Sequence, residues 1–74
     1  MSNLIDAIVL FNKSSKDFCI HYFLHKDILN LYIYDLSNDQ YWHLESHYDK
    51  DYSIKELIIF LNKLCYILRG SDKE

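Results

Sequence analysis

The stretch FCIHYFLHKDILNLYIYDLSNDQYWHLESHY, residues 18–48, decides the fold. Within it lie three segments, residues 18–25, 28–36 and 40–48. In each segment the character of the side chains alternates with a period of two, and aromatic and β-branched residues are frequent. Such a pattern is typical of half-buried strands. The polar clusters His25-Lys26-Asp27 and Ser37-Asn38-Asp39 lie between them as turns. Because consecutive strands usually pair as neighbours, the stretch predicts an antiparallel three-stranded meander with residues 28–36 in the middle.

The chain after the strands predicts a C-terminal helix over residues 53–69. Ser53-Ile54-Lys55-Glu56 matches a capping box, and Tyr52 and Leu57 occupy the positions of a hydrophobic staple. Gly70 stands where a left-handed stop would end the helix. The apolar side chains fill about half of the helix circumference; they are Ile54, Leu57, Ile58, Phe60, Leu61, Leu64, Cys65, Ile67 and Leu68. The predicted helix therefore buries one side against the sheet.

The first segment, residues 3–12, fits two structures. Asn3 is a suitable helix N-cap, and Leu4, Ile8 and Phe11 share one helical face. The apolar run of residues 7–11 equally suits a buried strand. The helix is favoured, which gives the element order α-β-β-β-α. The predicted fold class is α+β, with the N-terminal and C-terminal helices packed on one face of the sheet and the other face partly bare.

Length and charge exclude several classes of protein. Seventy-four residues form one small domain over residues 1–74, and such a chain buries only about 63% of its surface, too little for a deep substrate cavity. A hydrophobic fraction of 50% excludes intrinsic disorder. With 8 basic and 11 acidic residues, the net charge of −3 argues against direct binding to nucleic acid or to an anionic membrane.

The cysteine content and the apolar runs predict a cytoplasmic protein. Cys19 and Cys65 are too few for a disulfide-stapled secreted scaffold. The N-terminus has no signal-peptide pattern, and no apolar run approaches the roughly 20 residues of a membrane span. A bridge between the two cysteines is the less favoured alternative.

The histidines and cysteines offer weak signals for catalysis or metal binding. His21/His25 and His43/His47 are spaced i, i+4, which on a helix would bring each pair over one metal. On a strand the same spacing is about 13 Å, so exposed sheet-face histidines are predicted, with pH-sensitive binding as an alternative. Cys19 and His21 share a strand face, but the sequence contains no glycine-rich phosphate loop and no nucleophile elbow. We therefore expect no enzyme activity, no cofactor and no metal.

Acidic residues concentrate in the second half of the predicted sheet. Residues 35–51 contain a single lysine and five carboxylates, which are Asp35, Asp39, Glu45, Asp49 and Asp51. Carboxylates at strand and turn spacing can imitate nucleic-acid phosphates and occupy a basic groove, which raises the association rate. The alternative is a solubilising edge, with Asp49 and Asp51 favouring the N-terminus of the following helix.

Exposed aromatic side chains are the second candidate feature. Phe23, Tyr32, Tyr34 and Tyr41 are expected to line the bare sheet face, with Tyr48 at its edge. Tyrosine-rich patches rimmed by charge are typical of protein interfaces. The alternative is that so small a domain cannot hide all its apolar surface.

The order helix, three-stranded meander, helix, together with the acidic surface, resembles small phage-encoded anti-CRISPR proteins. The matching segments are residues 4–12, 18–24, 29–36, 41–46 and 53–69. The resemblance implies a DNA-mimicking inhibitor in which Asp35, Asp39, Glu45, Asp49 and Asp51 contact the basic groove of a CRISPR effector or another nucleic-acid-binding host protein. Two alternatives remain open, an immunity or antitoxin-like protein that neutralises a toxin and a homodimeric regulatory module. The sequence is compatible with a monomer or a homodimer.

Overall fold

The computed structural model describes residues 2–71 of the chain. Along the sequence lie helix α1 (Ser2–Ser14), strands β1 (Phe18–His25), β2 (Ile28–Asp35) and β3 (Gln40–His47), and helix α2 (Ile54–Ser71). The strands form one antiparallel sheet in the order β1-β2-β3. The predicted α+β architecture is confirmed, and the first segment is a helix rather than a strand.

The strand register divides the sheet into two faces. Ile33 of β2 lies opposite Ile20 of β1 and Trp42 of β3, and the neighbouring row joins Tyr34 to Cys19 and Tyr41. Successive side chains of a strand point to opposite faces, so the Ile33 row faces the helices and the Tyr34 row faces away from them. The two faces consequently differ in which residues they bury.

The core lies between the helices and the sheet. Its buried side chains are spaced three or four residues apart on the helices and two apart on the strands, as each element's geometry requires. They are Leu4, Ala7, Ile8 and Phe11 of α1, Ile20 of β1, Leu29, Leu31 and Ile33 of β2, Leu57, Leu61 and Cys65 of α2, and Tyr48. β2 contributes the most strand residues because it is the central strand.

Two asparagine side chains hold α1 in place. The side-chain amide of Asn12 donates to the Ile20 carbonyl at 2.8 Å, and its oxygen accepts from the Ile20 backbone N–H at 2.8 Å. At the other end, the Asn3 amide donates to the Tyr52 carbonyl at 2.9 Å. Asn3 therefore lies inside the helix and ties it to the loop before α2, and its predicted N-cap role is wrong.

The sequence predicts the start of α2 correctly but not its end. The capping box is confirmed, since Ser53 Oγ accepts from the Glu56 N–H at 3.1 Å and Glu56 Oε1 accepts from the Ser53 N–H at 3.2 Å. The predicted stop at Gly70 is wrong, because Gly70 has no positive φ and the helix continues to Ser71. The positive φ values belong to the turn residues Lys26 (57°) and Asp39 (55°).

Candidate protein-binding surface

The sheet face away from the helices, called the open face below, is covered by none of the described elements. By the register and the alternation of side chains it consists of Cys19, His21, Phe23 and His25 of β1, Ile28, Asn30, Tyr32 and Tyr34 of β2, and Tyr41, His43, Glu45 and His47 of β3. Every one of these residues is half-buried or exposed. On the opposite face all four β2 residues are buried. The open face is thus a complete sheet surface available to a partner.

Ring contacts connect the three strands across the open face. Tyr34 stacks on Tyr41 with ring centroids 5.6 Å apart, and the His21 ring packs edge-on against Tyr34 at 5.4 Å. Tyr32 lies nearly parallel to His43 at 4.6 Å. These cross-strand pairs restrict the rings before a partner arrives, which lowers the entropy that binding would cost.

Two aromatic side chains project furthest from the open face. Phe23 is 58% exposed and Tyr41 is 63% exposed. Phe23 stacks on His25 with a centroid distance of 6.4 Å. Aromatic side chains with this much free surface are the usual anchors of protein interfaces.

All four histidines of the chain lie on the open face. His43 Nε2 is 2.8 Å from Asn30 Oδ1, and His47 Nδ1 is 3.7 Å from Asp27. Among the residues that the structure describes, no group of three His, Cys, Asp or Glu side chains is placed to hold a metal ion. The side-chain alternation of residues 18–25 and 40–48 assigns all four histidines to this face, in agreement with the exposed sheet-face histidines that the sequence predicts.

The proposed carboxylates do not form one patch. Glu45 is the acidic residue on the open face, whereas Asp39 lies in the β2–β3 turn. Asp49 and Asp51 lie beyond the other end of β3, and Asp51 accepts a hydrogen bond from the Tyr48 hydroxyl at 3.0 Å. The exposed carboxylates are therefore distributed over β3 and the chain segments at its two ends.

Asp35 is not on the surface, and the structure removes it from the proposed contact residues. Its side chain is fully buried and accepts from Arg69 Nη2 at 2.7 Å and from Arg69 Nε at 2.9 Å. Asn38 and Ser37 also donate to it. The Arg69 hydrogen bonds hold the pKa of Asp35 well below its ordinary value, although burial acts in the opposite direction. Position 35 has the same parity as Leu31 and Ile33, so the alternation already assigned it to the helix-facing side.

Tyr48 is likewise inside the molecule rather than at the edge of the open face. Its ring is buried in the core, and its hydroxyl donates to Asp51. Position 48 has the same parity as Trp42 and Leu44, so the alternation of residues 40–48 assigns its side chain to the helix-facing side. Phe23, Tyr32, Tyr34 and Tyr41 do lie together on the open face.

Comparisons with protein-family models, curated proteins and solved structures give no match to this chain. Neither of the helices in residues 2–71 combines the length and the apolar character needed to cross a membrane.

Proposed function

We propose that this chain is a small non-enzymatic inhibitor that binds a protein partner through the open face. Phe23, Tyr32, Tyr34 and Tyr41 supply the buried contact, and the carboxylates along the β3 edge form its rim. One observation supports this most: a complete sheet face with projecting aromatic side chains has no covering element within residues 2–71.

The size of the open face indicates how the rim takes part. Strands of eight residues are about 26 Å long, and three strands are about 14 Å wide, which gives roughly 370 Å² in projection. A stable interface buries about 800 Å² on each partner. In the proposed contact, the turn and the loop at the two ends of β3, with Asp39 and Asp49, extend the surface that the sheet face offers.

The charge of this surface favours a basic partner. The open face contains Glu45 and has neither lysine nor arginine, and Asp39 and Asp49 extend the negative charge along the edge of β3. Complementary charge steers association and suppresses wrong partners. Following the resemblance to anti-CRISPR proteins, the proposed partner is a nucleic-acid-handling effector in the host cytoplasm, blocked at a basic groove.

The test compares variants of matched exposure in affinity capture from a lysate of the encoding organism. Phe23→Thr and Tyr41→Thr preserve strand propensity but remove the anchors, and Ile59→Gln removes an equally exposed side chain (57%) from α2. We expect the open-face variants to lose the captured protein and the Ile59→Gln variant to retain it. Capture that survives both open-face changes contradicts the proposal.

A second measurement separates the kinds of partner. With the captured protein purified, we expect affinity to fall as salt rises from 50 to 500 mM, and to fall at low salt in the Asp39→Asn, Glu45→Gln, Asp49→Asn triple variant. A salt-independent affinity rejects the basic groove but leaves aromatic docking. A toxin among the captured proteins supports an immunity role, and a dimer in light scattering that Tyr41→Thr dissociates supports self-association.

A further inference from the structure

A second surface feature lies on the other side of the sheet, between β3 and α2. It is an open cleft of about 530 Å³, floored by Leu31 and Leu44 of the sheet and walled by Phe60, Leu61 and Leu64 of α2. The cleft exists because α2 packs closely on α1, and α1 on β1, which leaves the β3 side of the sheet incompletely covered. Leu44 is consequently only half-buried although it faces the helices.

The dimensions and lining of this cleft are those of a small-molecule site. Such sites are typically 300–1,000 Å³, largely apolar, with a few polar groups that orient the ligand. Leucine and aromatic side chains dominate the lining here, and Tyr48 closes one end. The lining includes no lysine or arginine.

Glu56 supplies the carboxylate at the cleft, and Ser46 also borders it. Glu45 and His47 contribute to the rim, but by the strand register their side chains lie on the open face. Hydrogen bonds from Ser53 lower the pKa of Glu56, so its carboxylate is charged at neutral pH. A fatty acid would bring its carboxylate towards that of Glu56, whereas an ammonium group would be attracted by it.

We propose that the β3–α2 cleft binds an aliphatic amine, with its hydrocarbon chain on Leu44, Leu61 and Leu64 and its ammonium group at Glu56. Each additional buried methylene strengthens such binding about fourfold, and the ammonium ion adds selectivity for cations over anions of the same length. The site is independent of the proposed function, since it lies on the opposite side of the sheet from the open face.

The experiment titrates the full chain with octylammonium, hexylammonium, octanoate and 1-octanol below their aggregation concentrations. Leucine methyl NMR signals report binding. We expect octylammonium to shift the Leu44, Leu61 and Leu64 methyls saturably, at least tenfold more tightly than octanoate. Removing two methylenes should weaken binding about sixteenfold in hexylammonium.

Three variants locate the site and its charge. Leu44→Phe and Leu64→Phe each fill the cleft and are expected to weaken octylammonium binding at least tenfold, with folding checked by circular dichroism. Using both keeps the test decisive if one of them does not fold. Glu56→Gln retains a capping-box residue and should reduce the preference for octylammonium over octanol. Tyr41→Thr, on the open face, should bind octylammonium as the unmodified chain does.

Other results would overturn the proposal. These are octanoate binding as tightly as octylammonium, no saturable shift of the lining methyls up to millimolar ligand, or binding that Tyr41→Thr abolishes. The last result would place the ligand on the open face and leave the protein-binding proposal to its own capture experiment.

Discussion

At the scale of single residues, the Asp35–Arg69 pair is the main polar contact between the sheet and the C-terminal helix. Arg69 donates to the buried carboxylate through two nitrogens, and its guanidinium lies over the Phe18 ring at 4.4 Å from the centroid. Arg69 Nη1 is also 3.8 Å from Asp17. One arginine thus joins the end of β2, the start of β1 and the last turn of α2.

We expect Asp35→Asn to destabilise the fold by about 2 kcal/mol, because it leaves the Arg69 charge without its buried partner. Urea unfolding at pH 7 measures the change. Asp49→Asn is the matched control, since it removes an exposed carboxylate, and it should leave the unfolding midpoint unchanged. A variant as stable as the unmodified chain would show that the pair contributes nothing net.

The same carboxylate predicts how stability depends on pH. Its folded pKa lies below the ordinary 3.8, chiefly because of the Arg69 hydrogen bonds, so the unfolded chain takes up the proton first. Its stabilising effect is complete above pH 5 and is lost as the pH falls below 3.8 towards the folded pKa. The stability difference between the unmodified chain and Asp35→Asn should therefore shrink below pH 4. A difference that stays constant to pH 2.5 contradicts this assignment.

The two cysteines should differ in reactivity. Both thiols are free; Cys19 is half-buried on the open face, and Cys65 is buried in the core on the other side of the sheet. Burial is the main reason that the pKa of Cys65 rises to about 11, so little thiolate forms at pH 8. We expect a thiol reagent to label one cysteine quickly at pH 8 and the second only after unfolding. Cys19→Ser should remove the fast phase, and the absence of any labelling would indicate a disulfide.

At the scale of elements, a local sequence motif determines where α2 begins. A contact with a residue distant in the sequence holds its last turn. The capping box needs only residues 53–56, whereas the last turn is held by Arg69 on Asp35. Gly70 lies in this turn in a helical conformation, and a Cβ added there would meet no atom within 4 Å. Its flexibility therefore has no structural use in the folded chain.

We accordingly expect Gly70→Ala to raise the free energy of unfolding by about 0.5 kcal/mol, because alanine loses less backbone entropy in a helix. Urea unfolding measures this free energy. Lys63→Ala, on the exposed side of the same helix, is the reference for the effect of an ordinary surface substitution. A drop in stability would mean that Gly70 adopts the left-handed conformation that the sequence suggested.

At the scale of the whole molecule, the helices cover one side of the sheet only. Phe23 and Tyr41 project from the uncovered side, and Ile59 and Tyr66 are exposed on the outside of α2. These exposed apolar side chains are the physical basis for the binding proposals.

This arrangement predicts that binding and stability can be separated. Because Phe23 and Tyr41 are exposed, Phe23→Thr and Tyr41→Thr should each change the free energy of unfolding by less than about 1 kcal/mol while removing partner capture. Leu31→Ala, in the buried β2 row, is the contrasting variant and should cost about 3 kcal/mol. Large destabilisation by the surface changes would indicate a structural role for those rings.

The three strands and helix α2 follow from the sequence alone, whereas residues 3–12 fitted a buried strand as well as the favoured helix. Alternation over residues 18–48 predicts three strands, because this pattern depends on neighbours a few residues apart. The same parity determines that Tyr32, Tyr34, Tyr41 and all four histidines share the open face. Local geometry was sufficient for each of these features.

Tertiary contacts determined the features of the structure that the sequence patterns did not predict. Asp35 is a buried anchor because Arg69, 34 residues away in the sequence, reaches it. The cleft beside Leu44 exists because α2 packs towards α1 instead of β3. Which side chains meet across such distances depends on how the helices sit on the sheet, and the periodicity of each segment contains no information about that placement.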